Sequence, residues 1–306
     1  MSCRSLITYG LWMLTLLIGS QTASAADSVI LSPHDNHTID ATIGGQPFTT
    51  FHYGSELPKP YFSPVRAEDG TIVTRPLDVK EDHPHHKGIW LSIDEINDHK
   101  HWAEKHKIAN AETTIVKMQG NPAQLKIVNH WLDEAGKPLM KETTLVSIFA
   151  NRVVAYDIEF SPVDKALTFH DTKEGLFGVR LANSNREKEG GKVVNAEGKQ
   201  GTKECWGQES AWVDYYGQVN GKIYGVALFD HPGNFRKSRY HVRDYGLFSV
   251  SPFGQKAYTN GMLKDAPFTL EPGKTLRLRY GLYVHNGDTK EGHLPETYQQ
   301  YVKSAE

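Results

Sequence analysis

The segment between residues 111 and 162 constrains the fold of this chain more than any other part of it. Four runs rich in Val, Ile, Thr, Phe and Tyr follow one another there, separated by short stretches with Gly, Pro, Asn or Asp. Such runs between turn-forming residues are typical of antiparallel strands. We therefore predict a strand meander over residues 113–118, 124–132, 141–150 and 152–160.

Strand patterns continue after the meander, whereas helical periodicity is scarce. In residues 275–284, apolar side chains occupy every second position, as in a strand with one buried face. Only residues 295–303 have the spacing of a helix. Further strands are predicted over residues 89–93, 175–181, 211–216, 223–229, 246–251 and 275–284.

Together these elements predict an all-β fold. A sheet with one apolar face must cover that face, and because helices are few, a second sheet has to do so. We expect a large antiparallel β-sandwich, of the supersandwich kind found in sugar-handling proteins, with a short C-terminal helix. No linker or repeat divides the chain, so residues 26–306 are predicted to form a single domain.

The N-terminal residues have the pattern of a cleavable export signal. Arg4 precedes an apolar run over residues 11–18, and small residues lead to a cleavage site after Ala25. The apolar run is shorter than the roughly 20 residues that a membrane helix needs. We predict a signal peptide over residues 1–25, a periplasmic or secreted mature protein, and no membrane insertion.

Composition and the missing motifs exclude several classes of protein. The net charge is -2 and basic residues are spread along the chain, so a nucleic-acid partner is not expected. Cys3 lies in the signal, which leaves Cys205 without a disulfide partner and favours a small buried side chain. Serine-elbow, phosphate-loop, dinucleotide and His-Glu-x-x-His motifs are absent from the sequence.

Residues 82–90 contain three imidazoles and a carboxylate within five positions. In an extended segment His83 and His85 point one way, and Asp82 and His86 point the other way. Such a segment suits proton transfer, metal binding or contact with sugar hydroxyls, although a plain surface loop is the alternative. We take His83, His85 and His86 as candidate catalytic residues. His83 and His85 are also candidate ligands for a divalent metal ion as a cofactor.

Two further blocks suggest sugar recognition. In residues 96–102, Asn97 and Trp102 are candidate substrate-binding residues, because amides bind hydroxyls and aromatic faces stack on sugar rings. In the second block, Glu197 is a candidate catalytic acid and Trp206 a candidate binding residue. A carboxylate desolvated by an indole has a raised pKa, which suits a general acid. A structural loop is the alternative in both cases.

A fourth block, residues 229–248, combines neighbouring charged and polar side chains. They could form an acid–base pair or clamp a substrate carboxylate, or they could be ion pairs that hold loops together. The catalytic candidates are Asp230, His231 and Arg243, and the binding candidates are Asn234, His241, Asp244 and Tyr245. Asp171, Glu174 and Arg180 are weaker candidates.

Several of these blocks, in this order, carry a resemblance to a known family. They include Asp82-His83-Pro84-His85-His86-Lys87-Gly88-Ile89-Trp90, Asn195-Ala196-Glu197-Gly198, Cys205-Trp206-Gly207, Phe229-Asp230-His231-Pro232 and Val242-Arg243-Asp244-Tyr245-Gly246. The chain resembles a bacterial family of unknown function labelled methane oxygenase PmoA. The resemblance implies an exported all-β protein of polysaccharide-degrading bacteria, with a galactose-mutarotase-like sandwich.

Three functional hypotheses remain open at this point. The first is a carbohydrate-active enzyme that acts on an oligosaccharide by elimination, dehydration, epimerisation or hydrolysis. A histidine of the 82–90 block would then work with Glu197 or Asp230, and Arg243 would hold the substrate. The second is a sugar-binding protein without catalysis, and the third is a metal-dependent enzyme.

Overall fold

The structure is a computed structural model that describes residues 28–79 and 82–304. The predicted export signal, residues 1–25, lies outside these residues. The strands are β1 (Val29–His34), β2 (Thr38–Ile43), β3 (Gln46–His52), β4 (Tyr61–Val65), β5 (Ile89–Ile93), β6 (Ile108–Lys117), β7 (Gln119–Gly120), β8 (Ala123–Leu132), β9 (Pro138–Ile148), β10 (Val153–Pro162), β11 (Leu167–Phe169), β12 (Gly175–Arg180), β13 (Lys192–Asn195), β14 (Trp212–Val219), β15 (Lys222–Asp230), β16 (Arg239–Val242), β17 (Leu247–Ser251), β18 (Phe268–Leu270) and β19 (Leu276–Asn286). The helices are α1 (Thr202–Cys205), α2 (Gln255–Tyr258) and α3 (Leu294–Ser304).

The strands form two large antiparallel sheets and one small sheet. The nine-stranded sheet has the order β16-β17-β12-β5-β4-β3-β2-β1-β7, and the eight-stranded sheet has the order β13-β14-β15-β19-β10-β9-β8-β6. Strands β11 and β18 pair separately. The prediction of an all-β antiparallel sandwich with a short C-terminal helix is therefore confirmed. No helix in the described part of the chain is long and apolar enough to cross a membrane.

The two large sheets pack face to face around one apolar core. Phe177 of the nine-stranded sheet lies 4.7 Å from Tyr156 and 6.0 Å from Tyr280 of the other sheet, measured between ring centroids. Phe62 also contacts Tyr156, at 6.2 Å. The alternation predicted for residues 275–284 is observed in β19, where every second side chain from Leu276 is buried in this core. Cys205 is also buried, as predicted, and burial raises the pKa of its thiol to about 11.

The predicted meander is observed as β6, β8, β9 and β10, which pair in this order. The short stretch between the first two of these strands has a further role. Gln119 and Gly120 form β7, which pairs with β1 and so belongs to the other sheet. The backbone N–H of Leu31 donates to the carbonyl of Met118 at 2.9 Å, which extends this connection between the sheets.

One face of the nine-stranded sheet points away from the core and positions the candidate site. His241, Ser249, Gly178 and Trp90 are paired in register across β16, β17, β12 and β5. Residues paired in this way point to the same face of a sheet. Their neighbour Val179 belongs to the core, so the row lies on the opposite face, which we call the outer face.

A small apolar cluster covers part of the outer face. It consists of Tyr61, Trp90, Trp102 and Leu247, and it is separate from the main core. Gly178 makes room for it, because a Cβ at this position would lie 3.0 Å from the Trp90 ring. The equivalent face of the eight-stranded sheet is covered by α3.

Candidate functional site

The segment from Asp82 to Gly88, which we call the histidine loop, is held on the outer face by the buried guanidinium of Arg75. This group donates hydrogen bonds to the carbonyl oxygens of His83 at 2.9 Å and His86 at 3.2 Å, and also to that of Asp82. Burial, followed by the neighbouring charge of a second arginine, lowers the pKa of Arg75 to about 10. The loop is therefore anchored through its backbone.

The second arginine, Arg180, is fully buried and binds two side chains of the histidine loop. It lies at the end of β12, two residues from Gly178 and therefore on the outer face. One amino group donates to Nδ1 of His86 at 3.0 Å, and the other donates to Oδ2 of Asp82. Because His86 accepts at Nδ1, and because burial lowers its pKa, this imidazole is neutral with its proton on Nε2.

Asp82 joins Arg180 to His83. Its Oδ2 accepts from Arg180, and its Oδ1 contacts Nδ1 of His83. Burial acts to raise the pKa of Asp82, but the hydrogen bond with His83 and the charge of Arg180 outweigh burial and lower it. A carboxylate at Nδ1 keeps the proton there, so Nε2 of His83 has a free lone pair.

Two stacked rings fix the orientation of His83. The ring stacks on His86 at 4.8 Å and on Tyr245 at 5.3 Å, and the side chain remains 45% exposed. Its backbone has a φ of 49°, a left-handed conformation that is uncommon outside glycine and is often found at functional sites. His83 is thus an oriented imidazole that solvent and ligands can reach.

Two cations lie beside the same tyrosine. The guanidinium carbon of Arg180 is 4.8 Å from the centre of the Tyr245 ring, and that of Arg243 is 5.8 Å away. Arg243 is exposed, and it forms no ion pair within the described residues. Its positive charge is therefore available to a bound anion near His83.

Two half-buried carboxyl groups complete this side of the site. The backbone N–H of Asp94 donates to the carbonyl of Glu174 at 3.0 Å. Burial raises the pKa of Glu174, and the charge of Asp94 adds to the rise, while Lys173, His83 and Arg243 reduce it. Glu174 therefore lies within electrostatic range of His83 and Arg243. A carboxyl group with a raised pKa can keep its proton and act as a general acid.

A buried lysine joins the histidine loop to the following loop, residues 94–107. The Nζ atom of Lys59 donates to the carbonyl of His85 at 2.7 Å and to Oε1 of Glu104 at 2.6 Å. Lys87 donates to the same oxygen at 2.7 Å. Burial, followed by the charge of Lys59, lowers the pKa of His85 to about 4, so this imidazole is also neutral near neutral pH.

The structure brings six of the predicted site residues into one chain of ring and cation contacts: His83, His85, His86, Trp102, Arg243 and Tyr245. Trp102 is only 1% exposed, however, and therefore cannot stack on a sugar as expected. His241 lies on the same face, where its Nδ1 contacts the carbonyl of Lys173 at 2.9 Å and its ring is 6.2 Å from Trp206.

The predicted acidic partners of the histidines lie elsewhere. Asp230 ends β15 in the eight-stranded sheet, and its carboxylate accepts from Asn234 at 2.8 Å and from the backbone N–H of Ser238 at 2.8 Å. His231 is buried next to it and contacts the carbonyl of Val302 at 3.4 Å. Glu197 is exposed in the turn after β13. Among the described residues, no hydrogen bond or ion pair joins Asp230 or Glu197 to the histidine loop.

The structure gives different surroundings to Asn97, Asp244 and the two candidate metal ligands. The Asn97 side chain bonds to the carbonyl of Ala166 at 2.9 Å and to the N–H of Thr168 at 2.6 Å, so both ends of its amide hold the chain. Asp244 is exposed, without a side-chain partner among the described residues. The rings of His83 and His85 are 5.7 Å apart, but neither belongs to a group of three or more potential metal ligands in the described part of the chain.

Asp94 and Lys59 were not predicted, and Arg180 and Glu174 were only weak candidates. One signal in the sequence identifies Arg180, because a charged residue interrupts an otherwise apolar run that predicts a buried strand. Asp94 directly follows the buried strand β5, where a polar side chain marks a strand end. No local pattern distinguishes Lys59.

We expect the pH dependence of stability to show that Asp230 is a structural residue. Burial raises the pKa of Asp230 from 3.8 to about 6, so the folded protein binds this proton more tightly than the unfolded chain does. Its contribution to stability is complete below pH 3.8 and is lost as the pH rises through 6. Relative to Asp230→Asn, the wild-type free energy of unfolding should fall by about 3 kcal/mol across this range.

Urea denaturation of both proteins at several pH values measures this difference. Asp164→Asn is the control, because Asp164 is exposed and its pairing with Lys137 at 2.7 Å lowers its pKa. Relative to Asp164→Asn, the wild-type free energy of unfolding should not fall as the pH rises. Parallel pH profiles for wild type and Asp230→Asn would contradict the prediction.

Comparison with known proteins gives a family and a set of remote structural neighbours. Residues 38–299 match a family model described as a family of unknown function (DUF6807). No curated protein matches the chain. The coarser expectation, membership of a family of unknown function, is therefore confirmed, and the methane oxygenase PmoA label stays a resemblance.

Three solved structures are similar over most of the chain. A galactose 1-epimerase from Lactobacillus acidophilus is 10% identical with a TM-score of 0.46, covering 86% of this chain and 99% of that one. A putative aldose 1-epimerase from Escherichia coli is 10% identical with a TM-score of 0.39, covering 85% and 99%. A polysaccharide lyase is 12% identical with a TM-score of 0.33, covering 90% of this chain and 35% of that one.

Proposed function

Because the chain belongs to this family of unknown function, DUF6807, we propose a function from the site itself: proton transfer on a carbohydrate bound at the outer face of the nine-stranded sheet. The observation that carries the proposal is the linked set Arg180, Asp82 and His83. A buried cation fixes a carboxylate, and the carboxylate orients an exposed imidazole. This is the arrangement of an activated general base.

His83 is the base in this proposal. Its Nδ1 faces Asp82, and its Nε2 carries the free lone pair that takes a proton. His85 and His86 are neutral neighbours, and His86 is too buried to reach a substrate. They therefore support His83 rather than share its role.

Glu174 is the acid. Burial and the charge of Asp94 raise its pKa, which favours the protonated form, whereas the charges of Lys173, His83 and Arg243 reduce this rise. An imidazole base and a protonated carboxyl in one site can remove a proton from one atom and deliver another to a leaving oxygen. His83 and Glu174 therefore take the place of the acid–base pair that the sequence suggested, in which a histidine works with Glu197 or Asp230.

Arg243 indicates what kind of sugar fits. An exposed guanidinium next to the base matches a carboxylate in the bidentate geometry that arginine prefers. The resemblance to polysaccharide-related proteins suggests that the substrate is a carbohydrate. Arg243 suggests that this carbohydrate contains a uronic acid. A proton on the carbon next to a carboxylate becomes removable when a cation stabilises the negative charge that develops there.

The reaction that follows is a β-elimination. His83 takes the proton from the carbon next to the carboxylate, and the electron pair of that C–H bond forms a carbon–carbon double bond. The bond to the glycosidic oxygen breaks, and Glu174 gives its proton to that oxygen. The products are an unsaturated uronate and a shortened chain with a free hydroxyl group.

The test is incubation of the purified protein with panels of neutral and uronic-acid oligosaccharides, followed by mass spectrometry and absorbance of the double bond. We expect products only from the uronates, and a loss of at least about 100-fold in rate for Glu174→Gln. A product that contains one added water would identify a hydrolase instead. Binding without any product would identify a sugar-binding protein.

A further inference from the structure

We infer that the loop of residues 94–107 and the turn between β8 and β9 form a site for a divalent transition-metal ion of the Zn²⁺ type, with His99, His106 and Glu134 as its protein ligands. One potential ligand atom from each residue lies within 4.8 Å of the other two. None of the three takes part in the proposed proton transfer. The site is therefore a separate feature of the molecule.

A tight turn places His99. The backbones of Ile96 and His99 bond to each other in both directions, at 3.0 and 2.9 Å. Asn97 and Asp98 between them have φ values of 47° and 67°, as in a two-residue type I′ turn. Asn and Asp are the residues that tolerate this conformation best after glycine. The sequence Asn-Asp thus turns His99 back over the loop.

His106 closes the same loop from the other side. Its Nδ1 contacts the backbone N–H of Lys100 at 2.8 Å and the Lys100 carbonyl at 3.2 Å. Its ring lies 5.0 Å from that of His99, at an interplanar angle of 84°. Both imidazoles are only partly exposed. The loop therefore holds two imidazoles next to each other, with limited freedom to move.

Glu134 comes from a different part of the chain. Oδ1 of Asp133 accepts from the backbone N–H groups of Ala135 at 2.9 Å and Lys137 at 2.7 Å, which holds the turn after β8. At this turn Oε2 of Glu134 lies 3.0 Å from Nδ1 of His99. Two ligands of a tetrahedral ion with bonds of about 2.0–2.1 Å are separated by a similar distance.

The donor set indicates the class of ion. Two imidazole nitrogens and one carboxylate oxygen suit Zn²⁺ and its neighbours in the first transition row, whereas Ca²⁺ and Mg²⁺ prefer oxygen ligands. A cavity of about 360 Å³, lined in part by His99, Glu134, Asp133 and Asp164, lies beside the group and leaves room for a fourth ligand.

A third imidazole of the same loop lies next to His106. The His101 ring is 5.6 Å from that of His106 and only 1% exposed. Its Nε2 contacts the carbonyl of Leu132 at 3.0 Å, so the proton lies on Nε2. Its Nδ1 is buried, and no hydrogen-bond partner is found for it in the described part of the chain. His106 is therefore packed against a buried ring, which limits its movement.

A second group of possible ligands, Glu95, Asp98 and His170, is less suitable. It has one imidazole rather than two, and Glu95 already lies 3.4 Å from the amino group of Lys100. Because it uses the same loop, it provides the comparison that the experiment needs.

Metal binding would join the loop of residues 94–107 to the β8–β9 turn. This loop also carries Trp102 and Glu104, which build the outer-face site. The expected effect is therefore a stiffer loop and a more stable fold in the presence of the ion, because a ligand that binds only the folded state stabilises it.

The experiment is calorimetric titration of the tag-free protein with Zn²⁺, together with thermal unfolding with and without Zn²⁺. We expect one equivalent of Zn²⁺ to bind and to raise the melting temperature. His99→Ala and His106→Ala should remove both effects. Glu134→Gln, at an exposed position that should not affect folding, should weaken binding by at least about tenfold, as the loss of even an outer partner of a metal ligand does.

His170→Ala is the matched control, and it should bind Zn²⁺ like the wild type. Binding that survives in both His99→Ala and Glu134→Gln would overturn the inference, and so would binding lost in His170→Ala. The inference would also be overturned if the wild-type protein bound Zn²⁺ no more tightly than His99→Ala does. Because the readouts are heat and melting temperature, the result does not depend on the proposed enzyme activity.

Discussion

Replacing His83 with alanine is expected to lower kcat/KM on a uronic-acid oligosaccharide by about 100- to 10,000-fold, the usual contribution of a general base. The side chain is 45% exposed, so its removal leaves no buried cavity. The anchoring bonds of the loop run from Arg75 to backbone carbonyls and from Arg180 to Asp82 and His86, and they remain in the variant. Steady-state kinetics, with circular dichroism to verify folding, measures the effect.

His34→Ala is the matched control for this variant. His34 also pairs with a carboxylate, since its Nε2 lies 3.0 Å from Oδ2 of Asp40, and its side chain is 47% exposed. It belongs to β1, far from the outer-face row in strand order, and has no role in the proposed reaction. We expect its activity to match the wild type. Equal activities of His83→Ala and wild type would exclude His83 as the base.

Arg180→Met is expected to give the largest loss of stability among the charged residues of the site. Methionine has a similar length but removes the donor to Nδ1 of His86. It also removes one of the two arginine donors to Oδ2 of Asp82, which keeps only Arg75 at 3.4 Å. Removing one partner of a buried ion pair typically costs about 3–5 kcal/mol, and we expect about 3 kcal/mol because Asp82 is partly exposed. Urea denaturation monitored by tryptophan fluorescence measures this difference, and Trp90 and Trp102 lie next to the loop.

Arg277→Met provides the comparison for an exposed pair. Arg277 bonds to Asp157 through two nitrogens, but its side chain is 50% exposed. Such a surface pair contributes about 1 kcal/mol or less. If Arg180→Met were no more destabilising than Arg277→Met, the histidine loop would not depend on its buried anchor, and Arg180 would have no role in fixing His83.

The buried arginines also explain how the site can be rigid without a disulfide. Arg75 donates to three backbone carbonyls of the histidine loop, and Arg180 donates to two of its side chains. Catalytic groups work best when neighbouring groups fix their orientation before the substrate binds. A loop fixed in this way can present His83 in its left-handed conformation.

Most of the sandwich could be predicted from the sequence, but its N-terminal part could not. Strands with one buried face show their period of two directly, as in β9 and β19. Strands β1 to β3 mix Pro, Thr, Asp and His with the apolar residues, and they gave no strand prediction. Their pairing within the sheet decides their structure, because strand propensity depends on neighbours more than on the residue itself.

The candidate site was predicted in part, for a similar reason. The histidine loop is local in sequence, so its three imidazoles could be recognised together. Trp102 was expected to face a ligand, but the small cluster on the outer face buries it. Asp230 and Glu197 were expected to assist the histidines. Asp230 instead ends a strand of the other sheet, and Glu197 lies in the turn after a strand of that sheet. Sequence composition around a residue does not reveal which sheet face it occupies.

The sequence by itself determined the fold class, the C-terminal helix and the residues of the histidine loop, because periodicity and composition are local properties of the chain. Only the tertiary structure decided which distant residues join that loop. The order β16-β17-β12-β5 makes neighbours of strands that are far apart in sequence, and it brings Arg180, Glu174 and Arg243 to His83. Such strand order depends on how the two sheets bury their apolar faces together, which no local pattern encodes.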